Sequence, residues 1–518
     1  MKLKLVSVEA GVSAIGFRRI AASARLIYPE TQIYFITPDN LYSFSSHFSP
    51  NKKSSINDND ISIIAMELSS ANVVAFSSMT ASSQYVERIS KEIKKINPEC
   101  FILWGGVHPT LYPEESIRHV DCICIGEGEI TISKLVQNLL NNSSLNDLPN
   151  TWVNIDLKIK KNILLDLIDS SVLDEMPLPY NGYDCYIYDS SQKKIRLFNK
   201  FDYVKFNGLS YRTVWTLGCP FNCSYCANDS FIKLNKGYRK LRYSSVQFII
   251  DEIKNVIEIN PFISTIGFFD DNFIALPIEQ LKSFVEIYKK EIKIPFVVFG
   301  IHPSIINKDK IELLASAGMN RTRMGIQSGS ESTLKFFNRH TSINKILDAA
   351  NILSDIRSKY KMIPPAYDVI SDNPFETTGD MKDTLALLYK LPRPYTLNIF
   401  SLRVFPKTQL YDYVQENPIH NDFLINTSYL YTKKNMYNVF LFLLATFKPP
   451  LFVYKLFLKE ITKNGISKEY PVFFGFVKSI YLIKRGFHHI VRFDFSTVVG
   501  KSTYYLWAIK SFFFFKRS

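Results

Sequence analysis

The N-terminal part of the chain alternates short apolar runs with stretches of helical periodicity. Apolar runs that predict strands occupy residues 3–8, 32–36, 72–77, 100–104 and 122–125. Helical periodicity lies between them, most clearly over residues 83–96 and 130–140. Continuous apolar runs are typical of parallel strands that are buried on both faces. The pattern therefore predicts an α/β fold in which residues 1–142 form a doubly wound domain of about five strands.

A second alternating region follows residues 143–211, which show little regular pattern and are interpreted as a linker. Apolar runs recur at residues 213–216, 263–269, 296–299, 323–326, 367–370 and 397–400, with helical stretches between them. These strand–helix units predict a partial or complete parallel β/α barrel over residues 212–430. The ligand site of such a barrel lies at the carboxyl ends of its strands.

The C-terminal region, residues 431–518, differs in composition from the rest of the chain. It holds 15 Lys or Arg residues against three Asp or Glu, in a chain of net charge +14, and 23 of the chain's 73 aromatic residues. This composition predicts a mostly helical region with one of two roles. One is a cap on the barrel with a solvated basic face, and the other is an interfacial helix on a surface of anionic lipid. Nucleic acid is not expected as a partner, because no recognition fold accompanies the charge.

Composition also excludes several classes of protein. Seven Cys in 518 residues are too few for a disulfide scaffold. An acidic residue, Glu9, precedes any apolar segment of signal-peptide length, and no uncharged apolar run approaches the ~20 residues of a spanning helix. We therefore expect a cytoplasmic protein, either free or peripheral to the inner face of the membrane.

Three of the seven Cys lie close together in the run Gly-Cys-Pro-Phe-Asn-Cys-Ser-Tyr-Cys over residues 218–226. Thiolates are the ligands of iron–sulfur clusters, and three of them leave one iron of a four-iron cluster open to a small molecule. A zinc site is the alternative, but zinc takes four ligands and no fourth Cys or His is nearby. A disulfide is disfavoured in a reducing compartment. The remaining cysteines, Cys100, Cys122, Cys124 and Cys185, are not expected to bind a cluster.

This C-x3-C-x2-C spacing, at the end of the first strand of a predicted barrel, resembles the radical S-adenosylmethionine (SAM) superfamily. The resemblance implies a [4Fe-4S] cluster held by Cys219, Cys223 and Cys226, with SAM chelating the open iron. It also implies an external electron donor, such as flavodoxin or ferredoxin, and reductive cleavage of SAM to a 5′-deoxyadenosyl radical. Tyr225 matches the aromatic residue that lies near the adenine in this family.

Further segments resemble the same family in order along the chain. The run Phe-Phe-Asp-Asp-Asn-Phe at residues 268–273 resembles the end of the second strand, which implies that Asp270 and Asp271 approach the SAM amino group. The run Gly-Ile-Gln-Ser-Gly-Ser-Glu at residues 325–331 resembles the fourth strand, which implies SAM contacts by Gln327, Ser328 and Ser330. Gln327 stands where Glu is commoner; an amide can still form a hydrogen bond but supplies no charge.

Two later segments resemble the family but depart from it at glycine positions. Residues 367–377 resemble the fifth-strand segment, with Asp372 and Phe375 where the family has glycine. The turn at residues 405–408 has Lys407 where a glycine is usual. These departures put the close approach of the backbone to a ligand in question.

Strand-end motifs of the first domain resemble the cobalamin-binding domain of the cobalamin-dependent radical SAM subfamily. They are Gly105-Gly106 in the run Gly-Gly-Val-His-Pro-Thr and Gly126-Glu127-Gly128 in Gly-Glu-Gly-Glu-Ile-Thr. Paired glycines at strand ends let backbone amides approach a bulky ligand. The hydroxyls of Ser77 and Ser78 are further expected contacts. The alternative is a domain that keeps this fold without the corrin.

The motif D-x-H-x-x-G, which supplies a histidine to cobalt in other cobalamin enzymes, is absent, and His108 is not assigned as a cobalt ligand. The resemblance implies a cobalamin-dependent methyltransferase that acts on an unactivated carbon of a small-molecule substrate. The basic, aromatic residues 431–518 suggest that this substrate is lipid-like. The alternatives are a cobalamin-using oxidoreductase or cyclase without methyl transfer, and a non-catalytic protein that binds corrin and cluster. No catalytic side chain is assigned.

Overall fold

The computed structural model describes residues 2–38, 56–417, 430–464, 468–492, 494 and 504–505. The chain divides into two compact units. One unit comprises residues 1–211, 247–263 and 498–518, and the other comprises residues 212–246 and 264–497.

The first unit contains a nine-stranded sheet whose five central strands are those predicted from the apolar runs. They are β1 (Leu3–Val8), β2 (Gln32–Ile36), β3 (Val73–Ser78), β4 (Phe101–Gly105) and β5 (Cys122–Cys124). Their order is β5-β4-β3-β1-β2, and each neighbouring pair is parallel. All six residues of β1 are buried, as expected for a strand covered on both faces. The predicted doubly wound α/β domain is confirmed.

Residues 143–211 differ from the irregular linker that the sequence predicts. They contain β6 (Thr151–Ile155), β7 (Lys158–Lys161), β8 (Tyr186–Asp189) and β9 (Lys194–Leu197), which extend the sheet at both ends. Each pair, β6 with β7 and β8 with β9, is an antiparallel hairpin. The strand β7 is exposed at every residue and is rich in lysine, a composition that protects a sheet edge and carries no apolar pattern.

The second unit contains a six-stranded sheet in the order β10-β13-β14-β15-β16-β17. Its strands are β10 (Ser210–Thr213), β13 (Thr265–Phe268), β14 (Phe296–Ile301), β15 (Met319–Gln327), β16 (Ala366–Ser371) and β17 (Thr396–Ser401). The pairs from β13 to β17 are parallel. The predicted β/α barrel is therefore present in its partial form, with β10 and β17 at the two ends of the sheet.

The first barrel strand lies slightly earlier than the predicted run at residues 213–216. After it, β11 (Thr216–Leu217) pairs antiparallel with β12 (Arg242–Tyr243) in a separate two-stranded ribbon. The cysteine segment starts at the end of β11.

The helices of both units follow the predicted periodicity, with ends that shift by a few residues. The helix predicted at residues 83–96 is found there, and the one predicted at 130–140 begins at Glu129. In chain order the helices are α1 (Ile15–Ile27), α2 (Asp58–Leu68), α3 (Ser83–Ile96), α4 (Val107–Leu111), α5 (Pro113–Ser116), α6 (Glu129–Leu140), α7 (Ser170–Leu173), α8 (Lys200–Asn207), α9 (Ala227–Leu234), α10 (Val246–Ile259), α11 (Ile278–Glu291), α12 (Lys308–Ser316), α13 (Glu331–Phe336), α14 (Ile343–Lys359), α15 (Thr378–Lys390), α16 (Gln409–Glu416), α17 (Met436–Thr446), α18 (Leu451–Asn464) and α19 (Pro471–Ile490).

The C-terminal region is helical over its described part and packs on the barrel. All eleven residues of α17 are buried, and this helix contacts α15, α19 and β17. The Tyr481 hydroxyl, on α19, accepts a hydrogen bond from Leu397 N at 3.1 Å and donates one to Leu397 O at 2.6 Å. Among the described residues, no helix joins sufficient length with sufficient apolar character to cross a membrane.

Candidate cofactor sites

The cysteine segment is fixed at its start by backbone contacts with the turn before β12. The Cys219 amide donates to Tyr238 O at 2.9 Å. Gly218 has φ +93°, and a Cβ at this position would lie 2.5 Å from Lys240 O. Glycine is therefore required directly before the first cysteine.

The middle of the segment is held by the chain that follows the fourth barrel strand, β15. The Ser224 amide donates to Phe337 O at 2.9 Å, and the Ser224 hydroxyl donates to Phe336 O at 3.0 Å. Leu410 N donates to Ser224 O at 3.0 Å. Since Cys226 is the N-cap of α9, the three cysteines occupy a loop with fixed ends and a fixed centre.

All three thiols are free, so each is available as a ligand. Within the described part of the chain, the one His, Cys, Asp and Glu group whose ligand atoms all lie within 4.8 Å is Glu87, His108 and Glu115, so the three sulfurs do not all lie within that distance of one another. Burial raises the pKa of Cys219 to about 11 and also raises the pKa of Cys226. Binding of iron must therefore displace protons from these thiols.

Arg339 is a residue of this site that the sequence analysis does not identify. It is buried, and its Nη1 donates to Cys223 Sγ at 3.6 Å and to the Tyr225 hydroxyl at 3.3 Å. Its Nη2 donates to Gly325 O. One guanidinium therefore joins the cysteine loop to the fourth strand and places positive charge beside a cluster ligand.

His302 is a second residue that the sequence analysis does not identify. It directly follows β14, and its ring stacks on Phe221 of the cysteine loop with centroids 3.8 Å apart. Burial, and next Arg339, lower the pKa of His302 to about 2, so its imidazole is neutral. Its position immediately after a barrel strand is the one sequence signal that could have identified it.

Asp270, predicted to approach SAM, lies buried at the end of β13. Its Oδ1 accepts hydrogen bonds from Trp215 N at 3.1 Å and Thr216 N at 2.5 Å, and its shielded Oδ2 has no partner among the described residues. Burial raises the pKa of Asp270 to about 7. The neighbouring Asp271 is solvent-exposed, and desolvation on its buried side raises its pKa.

Gln327 ends β15 with a left-handed backbone, φ +72°. A Cβ at Gly325 would lie 2.6 Å from Gln327 Nε2 and 3.1 Å from Arg339 Nη2, so this glycine leaves room for both side chains. The other two predicted SAM contacts, Ser328 and Ser330, are buried and have protein partners. The Ser328 hydroxyl donates to Glu376 Oε1 at 3.2 Å, and the Ser330 hydroxyl donates to Asp380 Oδ1 at 2.5 Å. Direct contact of these residues with SAM stays a prediction.

Of the three non-glycine residues at family glycine positions, Asp372 and Lys407 keep a left-handed backbone, whereas Phe375 does not. Asp372 has φ +53° and Lys407 has φ +60°. The Asp372 carboxylate is held by Ser401 Oγ at 2.7 Å, Lys433 N at 2.9 Å and Asn438 Nδ2 at 2.9 Å. Asp adopts this region more readily than most residues, and these bonds fix it there. Asp372 and Lys407 therefore have the backbone conformation that a glycine would adopt at these positions, although they lack glycine.

The predicted cobalamin contacts lie together at the carboxyl edge of the first sheet. A Cβ at Gly106, whose φ is +100°, would lie 2.7 Å from Ser78 O and 3.2 Å from Ser77 Oγ. The Thr110 hydroxyl donates to Gly106 O at 2.8 Å and accepts from Gly126 N at 3.1 Å. The loops after β3, β4 and β5 are thus joined through backbone and small side chains.

The remaining side chains at this edge have protein partners. Ser78 is buried and accepts a hydrogen bond from Trp104 Nε1 at 2.9 Å, and the Glu127 carboxylate accepts one from Ile168 N at 2.8 Å. A Cβ at Gly128 would lie 3.1 Å from Ile20 Cδ1. Their contact with cobalamin stays a prediction.

The His108 side chain is buried and is not exposed at the carboxyl edge of the first sheet. Its ring stacks between Trp104 and Tyr112, with centroids at 5.1 and 4.9 Å, and burial lowers its pKa to about 4.

Two family profiles match the chain. The Radical SAM superfamily matches residues 213–387 and the B12 binding domain matches residues 54–136. An uncharacterized methyltransferase of Pyrococcus horikoshii is 24% identical over 351 residues, which cover 67% of this chain and 70% of that protein. The bacteriochlorophyllide d C-8(2)-methyltransferase of Chlorobaculum tepidum is 24% identical over 399 residues, covering 74% and 78%.

Among solved structures, the radical SAM methyltransferase TsrM of Kitasatospora setae, with cobalamin and a [4Fe-4S] cluster bound, has a similar fold. The TM-score is 0.61 at 13% identity, covering 80% of this chain and 78% of that one.

Proposed function

We propose that this chain, which matches the Radical SAM superfamily over residues 213–387 and the B12 binding domain over residues 54–136, methylates an unactivated carbon of a small-molecule substrate. Its cofactors are a [4Fe-4S] cluster, SAM and cobalamin. When bound, the cluster supplies the electron that cleaves SAM and cobalamin carries the methyl group. The electron comes from an external donor such as flavodoxin or ferredoxin.

The observation that carries the proposal is the fixed loop with three free thiols beside Arg339. Cys219, Cys223 and Cys226 supply three ligands and leave the fourth iron for SAM. Arg339 donates to Cys223 Sγ and so places a positive charge beside this ligand. Tyr225, half-buried and edge-on to Phe337 at 4.8 Å, shields the loop from water.

The barrel residues orient the ligand rather than react with it. Asp270 holds the backbone directly before the cysteine loop through two amides, so it fixes the position of the first strand end. Gln327 offers an amide at the end of the fourth strand, where it can donate and accept hydrogen bonds. In the first unit, Gly106 and Thr110 hold the loops after β3, β4 and β5 together and would shape the cobalamin site.

Anaerobic reconstitution of the full chain with iron, sulfide and hydroxocobalamin tests the proposal. We expect the wild type to retain both cofactors and to form 5′-deoxyadenosine when SAM and a strong reductant are added. Cys223→Ala should lose the cluster and SAM cleavage, whereas Cys185→Ala, at another buried free thiol, should keep both. Turnover by Cys223→Ala would refute the mechanism. A product without the mass of one added methyl group would favour the oxidoreductase or cyclase alternative.

We further propose that α19 places the protein on anionic lipid, which would suit a lipid-like substrate. Six large apolar side chains recur along this helix at intervals of three or four residues and are 41% to 86% exposed: Val472, Phe476, Ile480, Ile483, Phe487 and Ile490. Such a row is typical of a helix that lies in a membrane interface. The basic charge of residues 431–518 complements anionic headgroups.

Co-sedimentation with vesicles of phosphatidylglycerol and phosphatidylcholine tests this placement. Changing Ile483 and Phe487 together to Glu should abolish binding, whereas Met66→Glu, at an exposed apolar residue of α2, should not. Equal binding by both variants contradicts the proposal. A dimer in light scattering that the double variant dissolves, without vesicle binding by the wild type, would show that a second copy covers the row.

A further inference from the structure

The inner face of the barrel is charged and partly accessible, which is unusual for this architecture. Along β15, Arg321, Arg323 and Gly325 are partly exposed, while the alternating residues Thr322, Met324 and Ile326 are buried. The same alternation leaves Asp368 on β16 and Asn398 and Phe400 on β17 partly exposed. Branched apolar side chains usually fill the interior of a parallel barrel. Here polar and aromatic side chains line a space that solvent reaches.

A hydrogen-bonded chain of side chains crosses this face. Arg323 Nε donates to both oxygens of Asp368, at 2.7 and 2.8 Å. Asn398 Nδ2 donates to Asp368 Oδ1 at 2.8 Å, and Arg485 Nη1, on α19, donates to Asn398 Oδ1 at 3.0 Å. These hydrogen bonds fix the positions of the Arg323 and Arg485 guanidinium groups, with the Asp368 carboxylate between them.

Positive charge exceeds negative charge around this chain. Arg321 Nη1 lies 3.7 Å from Asp494, whose carboxylate also contacts His489 at 3.1 Å. Burial lowers the pKa of Arg321, and the charges of Arg485, Arg323 and Arg212 lower it further. Among the described residues of this cluster, Arg323 and Arg321 each lie against a carboxylate, whereas the hydrogen-bond partner of Arg485 on the neighbouring strand, Asn398, is neutral.

Aromatic rings lie against the guanidinium groups. Phe269 and Phe299 are stacked with centroids 4.2 Å apart, and Phe269 is 38% exposed. The Arg212 guanidinium lies 5.4 Å from the Phe269 centroid, and that of Arg323 lies 5.7 Å from Phe299 and 5.2 Å from Phe400. The rings form an apolar wall beside the charge, suited to a flat apolar group.

We propose that this inner face binds the anionic group, a carboxylate or a phosphate, of a substrate whose flat apolar body lies on the phenylalanine rings. The inference rests on the proposed function, since it assigns a substrate class to the same barrel. Arg323 lies four residues before Gln327 on one strand, so the anionic group would lie deeper in the barrel than the carboxyl end of that strand.

Isothermal titration of the reconstituted protein with benzoate, phenyl phosphate and benzyl alcohol tests the proposal. We expect at least one of the two anions to bind and the neutral alcohol to bind about tenfold more weakly or not at all. Whichever anion binds more tightly identifies the group as carboxylate or phosphate. Arg485→Gln should weaken the anion about tenfold; its partner Asn398 is neutral, so the change strands no buried charge.

Arg323→Gln provides a second test, because Arg323 lies at the other end of the hydrogen-bonded series from Arg485. The matched control is Arg118→Gln, at an exposed arginine of the first unit. Equal binding of anion and alcohol, no binding of any probe, or equal loss in the control overturns the proposal. Failure of the proposed methyltransferase function can be distinguished from failure of anion binding. In the same preparations it would be seen as a lack of SAM cleavage or a lack of bound corrin.

Discussion

Arg339 connects the cysteine loop with the fourth barrel strand and has no counterpart in the motifs that the sequence shows. It lies 116 residues after Cys223 in the chain and donates to that cysteine, to the Tyr225 hydroxyl and to Gly325 O. The three cysteines could be predicted because their spacing is local. The arginine could not, because only the fold brings it to them.

Arg339→Met is expected to release iron and to destabilise the protein. The change removes the hydrogen bond that the charged Arg339 donates to Gly325 O, a loss of about 2 kcal/mol. Iron content after reconstitution and the urea midpoint of the apoprotein measure the two effects. Arg339→Lys keeps the charge but not the fork of donors, and should retain more iron than Arg339→Met. Equal iron in the wild type and the methionine variant would contradict this role.

Glu376 should make stability depend on pH. Burial raises its pKa to about 8 from an ordinary value of 4.5, and within the described residues its shielded Oε2 has no partner. Between these two values the folded state keeps a proton that the unfolded state has lost, so this carboxyl destabilises the fold increasingly as pH rises from about 4.5 to 8.

Glu376→Gln is therefore expected to match the wild type near pH 5 and to become more stable than it as the pH rises to 8, by up to about 1.4 kcal/mol per pH unit. Urea midpoints of the apoprotein across this range measure the difference. Glu175→Gln, at an exposed carboxyl of the first unit, serves as the control. A constant difference between Glu376→Gln and the wild type at all pH values would rule out the titration.

At the scale of elements, apolar runs predicted the central strands of both sheets, and helical periodicity predicted the longer helices. The hairpins β6–β7 and β8–β9 were not predicted, because their strands are short and β7 is lysine-rich and exposed. The short ribbon of β11 and β12 was missed because each of its strands has two residues. Elements stabilised by tertiary pairing leave little pattern in the chain.

Gly106, in the turn after β4, packs against the loop after β3, so a substitution there tests whether this turn shapes the cobalamin site. Gly106→Ala places a Cβ against the backbone of Ser78 in a left-handed conformation, so we expect a loss of about 2 kcal/mol or more and weaker cobalamin retention. Gly16→Ala, in α1 with open space around it, should be neutral or stabilising. Thermal unfolding and corrin absorbance after gel filtration measure both. Equal corrin retention by the two variants would show that this turn does not shape the site.

At the scale of the whole molecule, each compact unit holds the predicted ligands of one cofactor. The cysteines belong to residues 212–246 and the strand-end glycines to residues 1–211. We therefore expect Cys223→Ala to retain cobalamin and Gly106→Ala to retain the cluster. Iron and corrin measured in the same preparations test this, and joint loss of both from either variant would show that the sites depend on each other.

The hydroxyl of Tyr481 satisfies both the N–H and the C=O of Leu397 on the last strand of the barrel sheet. During translation this strand leaves the ribosome well before α19 does. Until that helix arrives, the strand edge presents unpaired backbone groups to other chains. The last barrel strand of a nascent chain is thus synthesised before it is protected, and its protection waits for the docking of a helix that follows it in the chain.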